Sequence, residues 1–240
     1  MSEQLPFQVQ IVPVTAFEQN CSIIRAASGK AAVVDPGGDV DKILAAAEAM
    51  DAKIEKIWLT HGHLDHAGGA EELKRRTGAV IEGPQKEETF WLDKIEESWR
   101  KYGFEQGENC APDRWLDDGD ELDLDGIKFK VVYTPGHTPG HVVIYHEDAQ
   151  IAFVGDVLFA GSIGRTDFPR GNHQQLIDSI TGKLWPLGSD MQFVPGHGPI
   201  STFGRERQTN PFVSDSVTGY AGAQTAAPDV GAQRTSKRWQ

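Results

Sequence analysis

Thr60-His61-Gly62-His63-Leu64-Asp65-His66 is the stretch on which the reading of this chain turns, because it holds three of the eight histidines and a carboxylate. Imidazoles and carboxylates at such spacing suit divalent first-row metals, zinc first. One histidine would carry no message, and two at i, i+2 arise by chance. Four ligand-type side chains converging on one short segment read as a metal site. The preceding run, Lys56 to Thr60, is apolar and β-prone and predicts a buried strand. Gly62 is expected to relieve a backbone conformation that a Cβ would resist. Gly68 and Gly69 lead into a helical stretch from Ala70 to Arg76, so the cluster is expected on a strand-to-helix loop.

Three further fragments supply more donors. Pro135-Gly136-His137-Thr138-Pro139-Gly140-His141 follows the apolar run Phe129 to Val132. Ile151 to Val154 leads through Gly155 to Asp156, and Met191 to Val194 leads through Pro195 and Gly196 to His197. Each fragment places a donor just past an expected strand end, beside a glycine. Four such strand ends point to one shared sheet edge.

In this order the fragments resemble the metallo-β-lactamase superfamily, over about residues 8 to 212, with every ligand position filled. The stretch Gly155-Asp156 through Gly164-Arg165-Thr166-Asp167-Phe168-Pro169-Arg170-Gly171 narrows the resemblance to the short-form glyoxalase II (hydroxyacylglutathione hydrolase) branch, which lacks a large helical extension. Asn20-Cys21-Ser22, Pro112 to Leu116 and Asn210-Pro211-Phe212 extend that similarity. The resemblance implies an α+β, four-layer αβ/βα sandwich with two mixed sheets and outer helices.

It also implies a dinuclear site. His61, His63 and His137 would hold one divalent ion, and Asp65, His66 and His197 the other, with Asp156 bridging. Zinc is the first expectation, and iron or manganese suits the same donors. A metal-bridging hydroxide would then attack a thioester carbonyl, with Asp65 as the residue orienting it. Arg165 falls where this branch places a cation against the glutathione carboxylate, a task suited to a guanidinium fork. It could also be a plain surface arginine. Asp35 matches a carboxylate supporting a ligand histidine, or it merely caps the turn before Pro36. His141 is either a support residue or, more simply, a strand histidine. His146 and His173 are expected to face solvent.

The expected activity is hydrolysis of S-acylglutathione, for example S-lactoylglutathione to lactate and glutathione. Gly-Arg-Thr-Asp-Phe also occurs in the related persulfide dioxygenases, so a mononuclear-iron dioxygenase is the alternative. A non-enzymatic metal-stabilised scaffold is a third reading, disfavoured because a structural site closes with four ligands. Aspartate at 156, where the commonest β-lactamases of the superfamily carry cysteine, argues against β-lactam hydrolysis.

Composition sets the outer bounds. At 240 residues, with 39% hydrophobic and 24% charged residues, the chain fits one globular domain. A net charge of −12 disfavours nucleic acid as a partner. No apolar run approaches a membrane span, and no signal peptide is visible, so the cytoplasm is the expected compartment. Cys21 and Cys110 are expected as free thiols. Oligomeric state is not legible.

Strands are expected at Phe7 to Val14, Cys21 to Ala26, Ala31 to Val34, Ala79 to Glu82, Glu121 to Leu124, Lys128 to Val132, Val142 to Tyr145 and Ile151 to Val154. Helices are expected from Val40 to Met50, with Asp39 as N-cap, and from Gln174 to Lys183. The longest is expected from Lys86 to Tyr102, its aromatic residues packing into a core. Residues 1–213 form the expected hydrolase domain. From 214 to 240 the composition turns to Gly, Ala, Thr, Gln and Ser, which predicts a disordered tail.

Overall fold

A computed structural model describes residues 5–103 and 107–221. The first sheet contains β1 (Phe7–Val14), β2 (Gln19–Ala26), β3 (Lys30–Val34), β4 (Lys53–Trp58) and β5 (Val80–Glu82), hydrogen-bonded in that order. The second sheet is built from β6 (Glu121–Leu124), β7 (Ile127–Tyr133), β8 (Val142–His146), β9 (Ile151–Gly155), β12 (Gln192–Pro195) and β13 (Ser201–Thr202), in the order β13-β12-β9-β8-β7-β6. A small hairpin, β10 (Leu158–Phe159) and β11 (Ser162–Ile163), stands apart from both. Each sheet is mixed: β3, β4 and β5 run parallel, as do β9 and β12, and the other pairs are antiparallel.

Three apolar layers bind the sandwich together. Between the sheets lie Ile24, Val34, Trp58, Phe129, Ile144 and Phe153. The outer face of the first sheet is covered by α1 (Val40–Ala49), α3 (Ala70–Thr77) and α5 (Ile95–Lys101), through Ile43, Leu73 and Ile95. The outer face of the second sheet is covered by α6 (His173–Ser179) and α7 (Phe203–Thr209), through Leu176 and Phe203. The expected four-layer arrangement is therefore present. β8 and β9 are buried along their whole length because both sheet faces are covered.

Several expectations are corrected. The stretch from Lys86 to Tyr102 is not one helix. A 3-10 turn (Lys86–Glu88) runs into α4 (Thr89–Leu92), and the chain breaks at Lys94 (φ −120°) before α5. Tertiary packing outweighs local propensity there: Leu92, Ile95 and Trp99 enter the core, while Trp91 turns toward the cleft. Asp39 stands at the N-cap of α1 as expected, but its side chain makes no cap hydrogen bond, because Oδ2 accepts the Thr15 N–H at 2.7 Å from a left-handed backbone (φ 48°). Gly62 is needed for close approach rather than for an unusual φ; a Cβ would lie 2.9 Å from Trp91 Cβ. His146 is buried, edge-on to Phe7 and Phe129, because β8 has no solvent face. His173 is exposed, as expected.

The packed chain continues beyond residue 213. Ser214 is buried, α8 (Asp215–Thr218) follows, and Tyr220 lies under the Arg207 guanidinium at 4.9 Å. The rest of the expected tail lies outside the described residues.

Candidate metal centre

The loops after β4, β7, β9 and β12 meet at one edge of the sandwich. His61 lies buried within the loop after β4, and His63 directly precedes α2 (Leu64–Ala67), which carries Asp65 and His66. The first turn of this short helix thus presents three donors in one direction. His137 comes from the β7–β8 loop, Asp156 directly follows β9, and His197 follows β12. All seven donors predicted from the sequence come together.

They form two groups sharing one carboxylate. His63 Nδ1 lies 3.1 Å from both His61 Nε2 and His137 Nε2, so three ring nitrogens face one point. In the other group His197 Nε2 is 3.2 Å and His66 Nε2 3.9 Å from Asp65 Oδ2. Asp156 stands between them, with Oδ1 3.3 Å from His66 Nε2 and Oδ2 3.7 Å from His137 Nε2 and 3.8 Å from His197 Nε2.

Ring orientation is set from behind. His137 Nδ1–H donates to the Arg165 carbonyl at 2.7 Å, and His197 Nδ1–H to the Phe17 carbonyl at 3.1 Å. A carbonyl only accepts, so both rings carry a proton on Nδ1 and turn Nε2 inward. His66 Nδ1 does the same toward Asp35 Oδ2 at 2.9 Å. The other Asp35 oxygen accepts from the Thr60 N–H at 2.7 Å, and the Thr60 hydroxyl lies 3.1 Å from His61 Nδ1. Asp35 is therefore a support for His66, and not merely a turn residue. His141 is a support as well: it is buried, stacks on His61 at 4.7 Å, and its Nε2 accepts the Asp156 N–H at 3.1 Å. The simpler strand-histidine reading fails because His141 precedes β8 inside the site.

Charge distribution matches a ligand set. Burial holds His61, His63, His137 and His141 below the ordinary imidazole range, His63 at about 3, so they stand neutral. His66 is shifted the other way: burial opposes its charge, but Asp156, Asp65 and Asp35 outweigh that. Burial works against the charge on Asp65 and Asp156 too, yet the neighbouring His66 keeps both carboxyls below their usual range. His66 Nε2 and Asp156 Oδ1 are buried at the centre of the cluster without a hydrogen-bond partner. Orphaned polar atoms of this kind, set among two converging groups of ring nitrogens and carboxylates, fit divalent metal ions.

A cavity of about 820 Å³ opens above the cluster, with Phe17, Trp91, Tyr102, Phe159, Ile163 and Phe168 among its walls. Arg165 lies on its rim, with the guanidinium 4.3 Å above the Phe168 ring and paired through two hydrogen bonds with Asp167. Sequence reading missed Trp91, whose ring meets His63 edge-on at 4.6 Å. It also missed Glu88, fully buried beneath the histidine loops. Neither residue lies in a donor-rich segment, so spacing gave no signal.

Residues 14–197 match the model of the metallo-β-lactamase superfamily. Over 207 residues the chain is 43% identical to the hydroxyacylglutathione hydrolase GloC of Haemophilus influenzae, covering 86% of this chain and 98% of that one. Among solved structures, the BLEG-1 B3 metallo-β-lactamase aligns with a TM-score of 0.80 at 31% identity, over 88% of this chain and all of that one. TTHA1623 in a di-iron-bound form aligns with a TM-score of 0.77 at 31% identity, over 85% of this chain and all of that one. The converging donor loops, the two mixed sheets and these matches agree: the chain is a metallo-hydrolase of the metallo-β-lactamase superfamily, related to the hydroxyacylglutathione hydrolases.

Proposed function

We propose that this protein hydrolyses S-acylglutathione thioesters, S-lactoylglutathione among them, to a hydroxy acid and free glutathione. The observation carrying the reading is the set of seven donor side chains gathered in two groups under one cavity. Its relative in Haemophilus influenzae bears the name of this activity.

His61, His63 and His137 would hold one ion, and Asp65, His66 and His197 the other, with Asp156 between them. Bound there, two divalent ions would supply a water acidified to near neutral pH and a Lewis-acid contact for the carbonyl oxygen. The chain's own residues do the rest. Asp65, the more exposed of the two carboxylates, accepts a hydrogen bond from the attacking water and orients it. Trp91 and Phe168 cover His63 and limit solvent on that side. Arg165 takes the anionic end of the glutathione moiety, exchanging Asp167 for the substrate carboxylate. Two buried thiols, each raised by burial, agree with a reducing compartment such as the cytoplasm.

The test is thiol release from S-lactoylglutathione by metal-replete protein. Release at rates that Arg165→Ala lowers mainly through a higher KM supports the reading. No release, together with oxygen consumption on glutathione persulfide, transfers the assignment to a dioxygenase.

A further inference from the structure

Glu88 is a buried carboxylate to which the hydrolytic scheme gives no task. It is 0% exposed, and no lysine or arginine pairs with it among the described residues. Its two oxygens take backbone donors from two different loops. Oε2 accepts the Gly62 N–H at 2.8 Å, between His61 and His63. Oε1 accepts the Gly140 N–H at 2.6 Å, between His137 and His141. A buried carboxylate held by two amides and the nearby Thr138 hydroxyl, with no cation paired to it among the described residues, is costly to keep. Hydrogen bonds to an ionised acceptor are also the stronger kind.

Both glycines are fitted to this contact. A Cβ on Gly62 would lie 3.0 Å from Glu88 Oε2, and one on Gly140 would lie 2.7 Å from the Glu88 nitrogen and 2.8 Å from its Cγ. The Gln85 N–H completes the clamp on the Gly140 carbonyl at 3.1 Å. One carboxylate therefore spans the two loops that bring three ring nitrogens to 3.1 Å spacing. A proton on His63 Nδ1 can serve only one of its two 3.1 Å contacts, so the approach of the third nitrogen is held by the scaffold.

We infer that Glu88 is the positioning residue of the three-histidine site, fixing the separation of the His61–His63 loop from the His137 loop and with it the affinity of that site for a metal ion. This rests on the proposed reading of the three imidazoles as one ion's ligands. Glu88→Gln keeps the shape but must turn an NH₂ toward one of the two amide donors, so one bridge is lost.

The experiment measures zinc content after dialysis against a competing chelator, and cobalt(II) binding by visible absorption, on wild-type and E88Q protein, with circular dichroism as the fold control. Expected is a folded E88Q that keeps about one ion per chain where the wild type keeps two. The weaker ion's Kd should rise on the order of 10–100-fold, the usual effect of losing such a support. With metal in excess, kcat should fall while KM stays within about twofold, because no substrate contact is removed. An E88Q protein holding two ions with unchanged affinities overturns the inference alone. A wild type that binds no metal removes the site reading and the inference together. Should E88Q not fold, E88D carries the test: it keeps the carboxylate but lacks the reach to span both loops, and selective loss of one ion is again required. If neither folds even with metal in excess, Glu88 is a general folding element and the inference is wrong.

Discussion

Asp156 faces both halves of the donor cluster, with one oxygen toward His66 and the other toward His137 and His197. His197 belongs to one half only and is partly exposed. Removing either residue should therefore have unequal effects. Asp156→Ala deletes a donor from both groups and leaves two like-charged ions less neutralised, where repulsion is strong. The expected outcome is loss of metal from both sites and a fall in kcat of at least about a hundredfold. His197→Ala should keep about one ion per chain, held by His61, His63 and His137. Metal stoichiometry after dialysis checks both, and an Asp156→Ala protein retaining two ions would exclude a shared carboxylate.

At the scale of elements, the β10–β11 hairpin is hung from α7. Asn210, just past α7, donates from Nδ2 to the Ser162 carbonyl at 3.1 Å and to Glu206 Oε2 at 2.9 Å, and Glu206 accepts the Gly161 N–H at 2.7 Å. The hairpin carries Phe159 and Ile163 into the cavity wall. Asn210→Ala would leave buried acceptors unpaired, at about 1–3 kcal/mol. The hairpin, which otherwise reaches the core through Leu158 and Ile163, would loosen first. We expect KM to rise several-fold with metal content unchanged, read from Michaelis curves and elemental analysis. A fall in metal occupancy instead would show that the anchor serves the metal centre rather than the cavity wall. The same scale explains the failed helix from Lys86 to Tyr102. Its apolar spacing survives at Leu92, Ile95 and Trp99, but the segment also seats Glu88 below the histidine loops and Trp91 against His63. One straight helix is a poorer fit to those separate demands than three short pieces.

For the whole molecule, the metal-stripped form carries a pH liability. Burial holds His61, His63, His137 and His141 below the ordinary imidazole range, His63 at about 3. The unfolded chain protonates each near 6.5. Between there and the folded values the unfolded state binds more protons, so stability falls as pH falls, by up to about 1.4 kcal/mol per pH unit per group. Glu88, pushed up to about 7 by burial, works in the opposite direction between 7 and the usual carboxylate value. His66 and His197 are raised by the neighbouring carboxylates, so their contribution also grows as pH falls through 6.5, and Asp65 and Asp156 lose their contribution only at lower pH. Five lowered imidazoles, with His146 included, outweigh His66, His197 and Glu88 and give a Tm several degrees lower at pH 5 than at pH 7, measured by calorimetry with chelator present. An equal or higher Tm at pH 5 would show the site opening to solvent without its metal. Deleting residues 222–240 should leave Tm within about 2 °C and activity unchanged, because that composition offers little apolar surface to bury. The cut falls after Tyr220, which packs against Arg207.

The sequence by itself determined the donor set and the frame that carries it. Ligand chemistry is local to short motifs such as His61 to His66, and strand ends are marked by apolar runs closing on glycine, so both could be read along the chain. Only the tertiary structure decided the residues acting from behind. Asp35 could have been a turn residue until Thr60 and His66 closed on it from 25 and 31 positions away. His141 could have been a strand histidine, and β8 hid the burial of His146 because a strand covered on both faces shows no alternation. Glu88 resembled its acidic neighbour Glu87 until two loops, 26 and 52 residues distant, placed their amides on it. Burial and long-range pairing depend on what the fold brings near a residue, and no periodicity in the chain encodes that.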